Sequence, residues 1–167
     1  MAAPGEILRG VAIFGALSDS ALEFLQERLE EVTVAAGGVF FEEGEMESAV
    51  YVLEEGRAEV VKSRGGRSVV LASFEPGACF GEVALVAICP RSATVRAVTD
   101  CRAVRLDNEV ILELHRRDPE QFTLLQMNLG REVARRLNET TELLFECLLG
   151  GAGDHGRIAG LLGRTLE

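Results

Sequence analysis

Between residues 32 and 107 the chain breaks into short, β-branched and apolar runs at close, fairly regular spacing, and this pattern limits its fold more than any other feature. The runs cover 32–34, 39–41, 50–54, 58–62, 68–74, 94–98 and 103–106. Glycine or proline separates them at Gly37-Gly38, Gly44, Gly56, Gly65-Gly66 and Pro76-Gly77. Such residues punctuate backbone structure, because one tolerates positive φ and the other cannot donate to a ladder. Short strands in this rhythm predict an antiparallel barrel or jelly roll. Gly65-Gly66, lying between two strand-like runs, reads as a hairpin turn.

Helical periodicity brackets this region on both sides. From 6 to 29 the pattern is helical, with Ser18 as an N-cap before Asp19 and with Leu22, Leu25 and Leu29 on one face. Ile13, Phe14 and Leu17 are expected to tuck under the next element. After Asp107, Val110, Ile111 and Leu114 mark a short helix that Asp118-Pro119 must end, since a proline disfavours helix in the residue before it. The same pair starts another: Asp118 can cap it, Pro119 suits its first position, and Gln121 sits where a capping-box partner would. Phe122, Leu125, Leu129, Val133, Leu137, Leu144 and Leu148 then predict a helix of about thirty residues with a continuous apolar stripe. Gly130 inside it reads either as a bend or as a glycine tolerated on a packed face, at a cost of about 1 kcal/mol relative to alanine.

The organisation that follows is one domain over 1–149, with a helical lead-in at 6–30, a barrel at 32–107 and C-terminal helices at 108–149. A flexible tail follows at 150–167, opening with Gly-Gly-Ala-Gly. No apolar run approaches the ~20 residues of a membrane span, and the first residues carry no secretory pattern. Cys79, Cys89, Cys101 and Cys147 show no CxxC spacing, so buried free thiols in a reducing cytoplasm are expected, with no metal. The formal net charge of -10 counts against nucleic acid as a partner, because that binding rests on Lys and Arg neutralising phosphates. A local cationic pocket still works in such a field, since charges beyond ~8 Å are largely screened in physiological salt.

Such a pocket is suggested by residues 80–95, FGEVALVAICPRSATV. Arg91 offers paired planar donors that match a phosphate as a lysine cannot; its plain alternative is a surface arginine paired with a carboxylate. Glu82 can accept from a sugar hydroxyl, or can simply be an acid in the first turn of a helix. Residues 82–87 read as one or two helical turns whose first N–H groups face an anion. Gly81 would let the backbone approach a ligand closely, and Ser92, Ala93 and Thr94 are small enough to line a pocket.

The stretch resembles the phosphate-binding cassette of cyclic-nucleotide-binding domains, FGE-x-A-L, four residues, then PR-x-AT-V. It is similar to the nucleotide sites of protein kinase A and G regulatory domains and of cyclic-nucleotide-gated channels. FFEEGE, YVLEEGRAEV and PGACFGE extend the likeness, which runs from Phe14 into the long helix. The resemblance implies a mainly β jelly-roll barrel with an N-terminal helical segment and two C-terminal helices. It implies cAMP or cGMP as ligand, no other cofactor, and no catalysis. Arg91 would hold the exocyclic phosphate oxygens and Glu82 the ribose 2'-hydroxyl. Gly81, Val83 and Ala84 would make close backbone contacts, with Ser92 and Ala93 beside phosphate and base. Ser92 leaves adenine and guanine open, because serine occurs in binders of both. Arg131, Arg135, Leu143, Leu144 and Phe145 are candidate lid contacts on the last helix, which could instead be core or the seam of a homodimer.

The function expected is therefore a cytoplasmic regulatory module in which the ligand shifts the C-terminal helices by preferring one arrangement, and through them an effector protein. Members of the family that regulate transcription place a helix-turn-helix after the long helix; the residues left here are few and glycine-rich, so none is expected. A cupin-type enzyme would need histidines on strands, and His115 and His155 both fall outside the predicted barrel. The remaining alternative is a degenerate barrel serving as a protein interaction module, against which the intact Glu82 and Arg91 stand.

Overall fold

A computed structural model describes residues 6–150, with side chains throughout that span except at 6, 7, 148 and 150. Eight strands form: β1 (Glu30–Val34), β2 (Val39–Phe41), β3 (Ala49–Glu55), β4 (Ala58–Arg64), β5 (Arg67–Phe74), β6 (Cys79–Phe80), β7 (Thr94–Ala97) and β8 (Cys101–Asp107). All pair antiparallel, β1 with β8, β2 with β7, β3 with β6 and β4 with β5, which is the nesting of a jelly roll. Mainly β with flanking helices is thus the architecture, as the sequence indicates. The expected closed barrel is instead two sheets, ordered β1-β8-β3-β6 and β2-β7-β4-β5. Two of the edge strands, β6 and β2, hold only two and three residues.

The β4–β5 hairpin turns through Gly65 (φ 60°) and Gly66 (φ 74°), and Arg64 faces Arg67 across it. Positive φ at both central residues is the type I′ geometry whose twist suits a two-residue hairpin.

Strand β3 is buried on both faces over its first five residues and so reads as an unbroken apolar run, whereas β8 buries Cys101, Ala103, Val104 and Leu106 and leaves Arg102 and Arg105 half-buried. Successive side chains point to opposite sides. Ala49, Tyr51, Leu53, Cys101 and Ala103 face the space between the sheets, where Phe41, Phe74, Phe80 and Val95 join them. Val50, Val52, Val104 and Leu106 face a second core made with the helices.

Those helices are α1 (Glu6–Gly10), α2 (Asp19–Gln26), α3 (Glu82–Ala87), α4 (Asn108–Arg117) and α5 (Pro119–Gly150), with a 3-10 turn at Ala12–Phe14. The continuous N-terminal helical pattern is broken into three pieces, with Val11 extended and Ala16 at φ 62° between them. Ser18 does cap α2, its hydroxyl accepting from Ala21 N at 3.2 Å. Asp118 caps α5 by accepting from Gln121 N at 3.2 Å. The Gln121 side chain does not close a capping box; its Oε1 accepts from Ser18 N at 2.8 Å and ties α5 to α2. Asn128 Nδ2 donates to Ile13 O and Gly15 O at 3.2 and 2.8 Å, making a second anchor at the 3-10 turn.

The continuous apolar stripe does not hold along α5. Leu125 and Leu129 are buried, but Leu137 and Leu144 are 64% and 59% exposed, and the side chain of Leu148 lies outside the described residues. Helix α5 runs through Gly130 without interruption, and a Cβ there would meet nothing within 4 Å, so this glycine sits on an open face. Of the four thiols, Cys79 and Cys101 are buried, Cys89 is half-buried and Cys147 is exposed, so burial holds for two of them. No described helix is long and apolar enough to cross a membrane. The tail expected at 150–167 lies outside the described residues beyond Gly150.

Candidate functional site

The cassette begins where β6 ends. Gly81 turns the chain at φ 88°, and a Cβ on it would lie 2.7 Å from Ala49 O and 2.8 Å from Arg91 Nη1. Only glycine fits this junction. The return leg is stapled to the β2–β3 turn: Arg91 N donates to Glu45 O at 2.9 Å, Gly44 N to Arg91 O at 2.9 Å, and Glu43 N to Thr94 Oγ1 at 3.0 Å.

Arg91 is buried, at 2% exposure. Its Nη1 donates to Gly81 O at 2.9 Å, and its Nη2 to Ala49 O at 3.0 Å and Glu47 Oε2 at 3.1 Å. Its guanidinium carbon sits 4.0 Å from the Phe41 ring centroid, close enough for a cation–π contact. Glu47 also accepts from Arg105 Nη2 at 3.1 Å and from the Tyr51 hydroxyl at 3.3 Å. The surface-arginine alternative is therefore gone.

Glu82 is buried as well, at 1% exposure, in the first turn of α3. Its Oε1 accepts from Arg136 Nη1 at 2.8 Å. Burial pushes its carboxyl above the ordinary range, while the charge of Arg136 pulls the other way. Arg136 spends its other nitrogens on Glu132 Oε1 at 2.8 Å and on Cys79 O.

Glu82 and Arg91 share the wall of one cavity of about 100 Å³, which Gly81, Val83, Ala84, Ser92 and Ala93 also line. The structure thus brings together all seven residues singled out in the cassette. Two buried polar atoms of these wall residues lack a hydrogen-bond partner among the described residues: Arg91 Nε and Glu82 Oε2. One is a cationic donor and the other an anionic acceptor, as a ligand carrying both an anion and a hydroxyl would require.

None of the five candidate lid residues lines this cavity. Arg131 donates to Asn128 Oδ1 at 2.9 Å, and Arg135 pairs with Glu132 and Glu139. Leu143 is buried, whereas Leu144 and Phe145 are exposed. The helix contact on the cavity is Arg136, next in sequence to Arg135. A signal for it existed: Asn128, Glu132 and Arg136 follow buried Leu125 and Leu129 in steps of three and four, so the buried face of α5 turns polar as it nears the cassette. Glu47 had no comparable signal, being 44 residues from Arg91 in a loop.

The family model described as "Cyclic nucleotide-binding domain" matches residues 31–118. The chain belongs to the cyclic nucleotide-binding domain family. It is 28% identical over 141 residues to the CRP-like cAMP-activated global transcriptional regulator of Mycobacterium tuberculosis, covering 84% of this chain and 63% of that protein. It is 34% identical over 137 residues to the cyclic AMP receptor protein of Thermus thermophilus, covering 79% of this chain and 60% of that one. The chain therefore spans about three-fifths of the length of these relatives. Among solved structures, the catabolite activator protein of Thermus thermophilus superposes with a TM-score of 0.70 at 26% identity, over 90% of this chain and 79% of that one.

Proposed function

We propose that the protein is a receptor module for a cyclic nucleotide, cAMP in the first place and cGMP as the competing ligand. The observation that carries this is that buried Arg91 and Glu82 line one cavity while Arg91 Nε and Glu82 Oε2 have no hydrogen-bond partner among the described residues. The cyclic phosphate is assigned to Arg91, the ribose 2'-hydroxyl to Glu82, and the close backbone contacts to Gly81, Val83 and Ala84. Ser92 and Ala93 fall to the phosphate and base side. Both relatives above are named for cAMP, which supports adenine over guanine.

Helix α5 lies against the cavity through Arg136, and this supports a mechanism in which the ligand repositions the C-terminal helices. Leu137 and Leu144, seven residues apart on α5 and both exposed, support a homodimer through that helix, which sedimentation of the wild type would read as about twice the monomer mass. The excess of acid over base argues against nucleic acid as a ligand of this unit. An effector protein is the expected recipient of the signal.

Calorimetric titration with cAMP and with cGMP, on wild type, Arg91→Ala and Arg91→Lys, tests the reading. Truncating one member of a buried charged contact costs about 2 to 5 kcal/mol, so Arg91→Ala is expected to weaken binding by roughly 30-fold to several thousand-fold. Arg91→Lys keeps the charge, loses the fork, and should fall between. Absence of heat and of any thermal shift with either nucleotide at millimolar concentration would instead favour a protein interaction module.

A further inference from the structure

Lys62 grips the cassette at the point where its strand pairing gives out. The β4–β7 ladder ends at the pair Val61–Thr94, and Lys62 is the next residue along β4. Its ammonium donates to Ser92 O and lies 2.9 Å from Glu43 Oε1 in the β2–β3 turn. The hydrogen bond from Lys62 holds the Glu43 carboxyl below its ordinary range. Glu43 N in turn donates to Thr94 Oγ1, so strand, turn and cassette meet around this one side chain.

The neighbouring residues of the return leg are held by the turn alone. Arg91 is bonded to it through both its N and its O, and Thr94 through its hydroxyl. Between these fixed points lies the peptide that joins Ser92 to Ala93, and its carbonyl oxygen is the atom that Lys62 takes. In a trans peptide the C=O and the N–H point in opposite directions, so a donor that fixes Ser92 O also fixes the direction of Ala93 N–H. Ser92 and Ala93 line the cavity together with Arg91, and Val60 lines it from β4, whereas Lys62 does not.

Resting on the reading of the cavity as a cyclic-nucleotide site, we infer that Lys62 is a positioning residue of that site: by drawing Ser92 O off the cavity wall, it turns Ala93 N–H toward one exocyclic oxygen of the cyclic phosphate. Lys62 itself does not touch the ligand. Arg91 supplies the charge, and Lys62 sets a neutral donor beside it. An ion pair whose side chains keep 39% and 33% exposure contributes little to stability, so losing Lys62 falls on binding rather than on folding.

The test is calorimetric titration of wild type, Lys62→Met, Lys62→Arg and Arg91→Ala with cAMP and with the two diastereomers of its phosphorothioate, in which sulfur replaces one or the other exocyclic oxygen. A hydrogen bond to a charged group sets the upper limit, so Lys62→Met is expected to weaken cAMP by about threefold to thirtyfold, with the thermal midpoint nearly unchanged. The two diastereomers should lose unequally: the one carrying sulfur opposite Ala93 N–H loses less, because sulfur is already a weak acceptor there. Lys62→Arg keeps a cationic donor and is expected to lie closer to wild type than Lys62→Met does. Equal losses for both diastereomers overturn the positioning role, since a missing charge or a general loosening of the cassette acts on both alike. If Arg91→Ala weakens binding while Lys62→Met leaves all three ligands unchanged, this inference fails and the site assignment stands. Failure of the wild type to bind cAMP sinks the site assignment and this inference with it.

Discussion

The two halves of the cavity are built in opposite ways. On the Arg91 side every partner of the guanidinium belongs to the sheets, the β2–β3 turn or the cassette: Ala49 O, Gly81 O, Glu47 and the Phe41 ring. On the Glu82 side the partner, Arg136, comes from a helix 54 residues further along the chain. The first half is fixed when the jelly roll folds. The second depends on where α5 rests. On the proposed mechanism, in which the ligand repositions the C-terminal helices, the wall held by α5 is the one that reports the ligand's arrival.

The difference can be broken most forcefully at the fixed wall. Gly81→Ala forces an L-residue to φ 88° with its Cβ 2.7 Å from a backbone oxygen, and should cost more than about 2 kcal/mol, roughly 4–8 °C in the thermal midpoint. Arg136→Gln, at the movable wall, should lower the midpoint by clearly less. Comparable losses in the two variants would mean that α5 is as integral to the fold as the cassette.

A smaller effect separates the two walls by pH. The Glu82 carboxyl sits above its ordinary 4.5, chiefly through burial; Arg136 and Arg135 on α5 pull it down and Glu132 pushes it up. Cys79 on β6 faces it as a neutral thiol, its own titration raised well above the ordinary range by burial. A carboxyl raised in the folded state is ionised at a cost, so its contribution to stability improves as pH falls through the folded value toward 4.5. Protonation removes the better acceptor for a hydroxyl, so affinity for cAMP should weaken in that same window, by at most about tenfold per pH unit. Glu132 does not interfere there: burial raises it, but Arg135 and Arg136 together hold it below 4.5, so its stabilising effect is lost only at lower pH. Titrations at pH 7 and pH 5 with cAMP and with the 2'-deoxy analogue check this; a loss shared equally by both ligands would place the titrating group elsewhere.

The halves also differ in how far they could be read from residue order. The strands were legible because β-branched runs and glycine breaks are local, and the cassette was legible because its pieces lie within sixteen residues. Strand β6 was missed, since two residues inside PGACFGE carry no periodicity. Sheet closure was over-read, because strand rhythm alone does not say whether the edge strands meet. On α5, leucine spacing suggested one continuous stripe, yet the buried face passes through Asn128, Glu132 and Arg136, while Leu137 and Leu144 point outward. Contacts such as Arg91 with Glu47 and Glu82 with Arg136 span 44 and 54 residues and are set by topology, which no window along the chain contains.

Native-state hydrogen exchange on the free and the cAMP-saturated protein tests most directly whether filling the pocket tightens the cassette and repositions the helix beside it. We expect slower exchange through residues 81–93 and changed exchange through 132–143, with 119–129 unaltered because Gln121 and Asn128 keep their anchors. Unchanged exchange through 132–143, in a protein that calorimetry shows to be saturated, would contradict it.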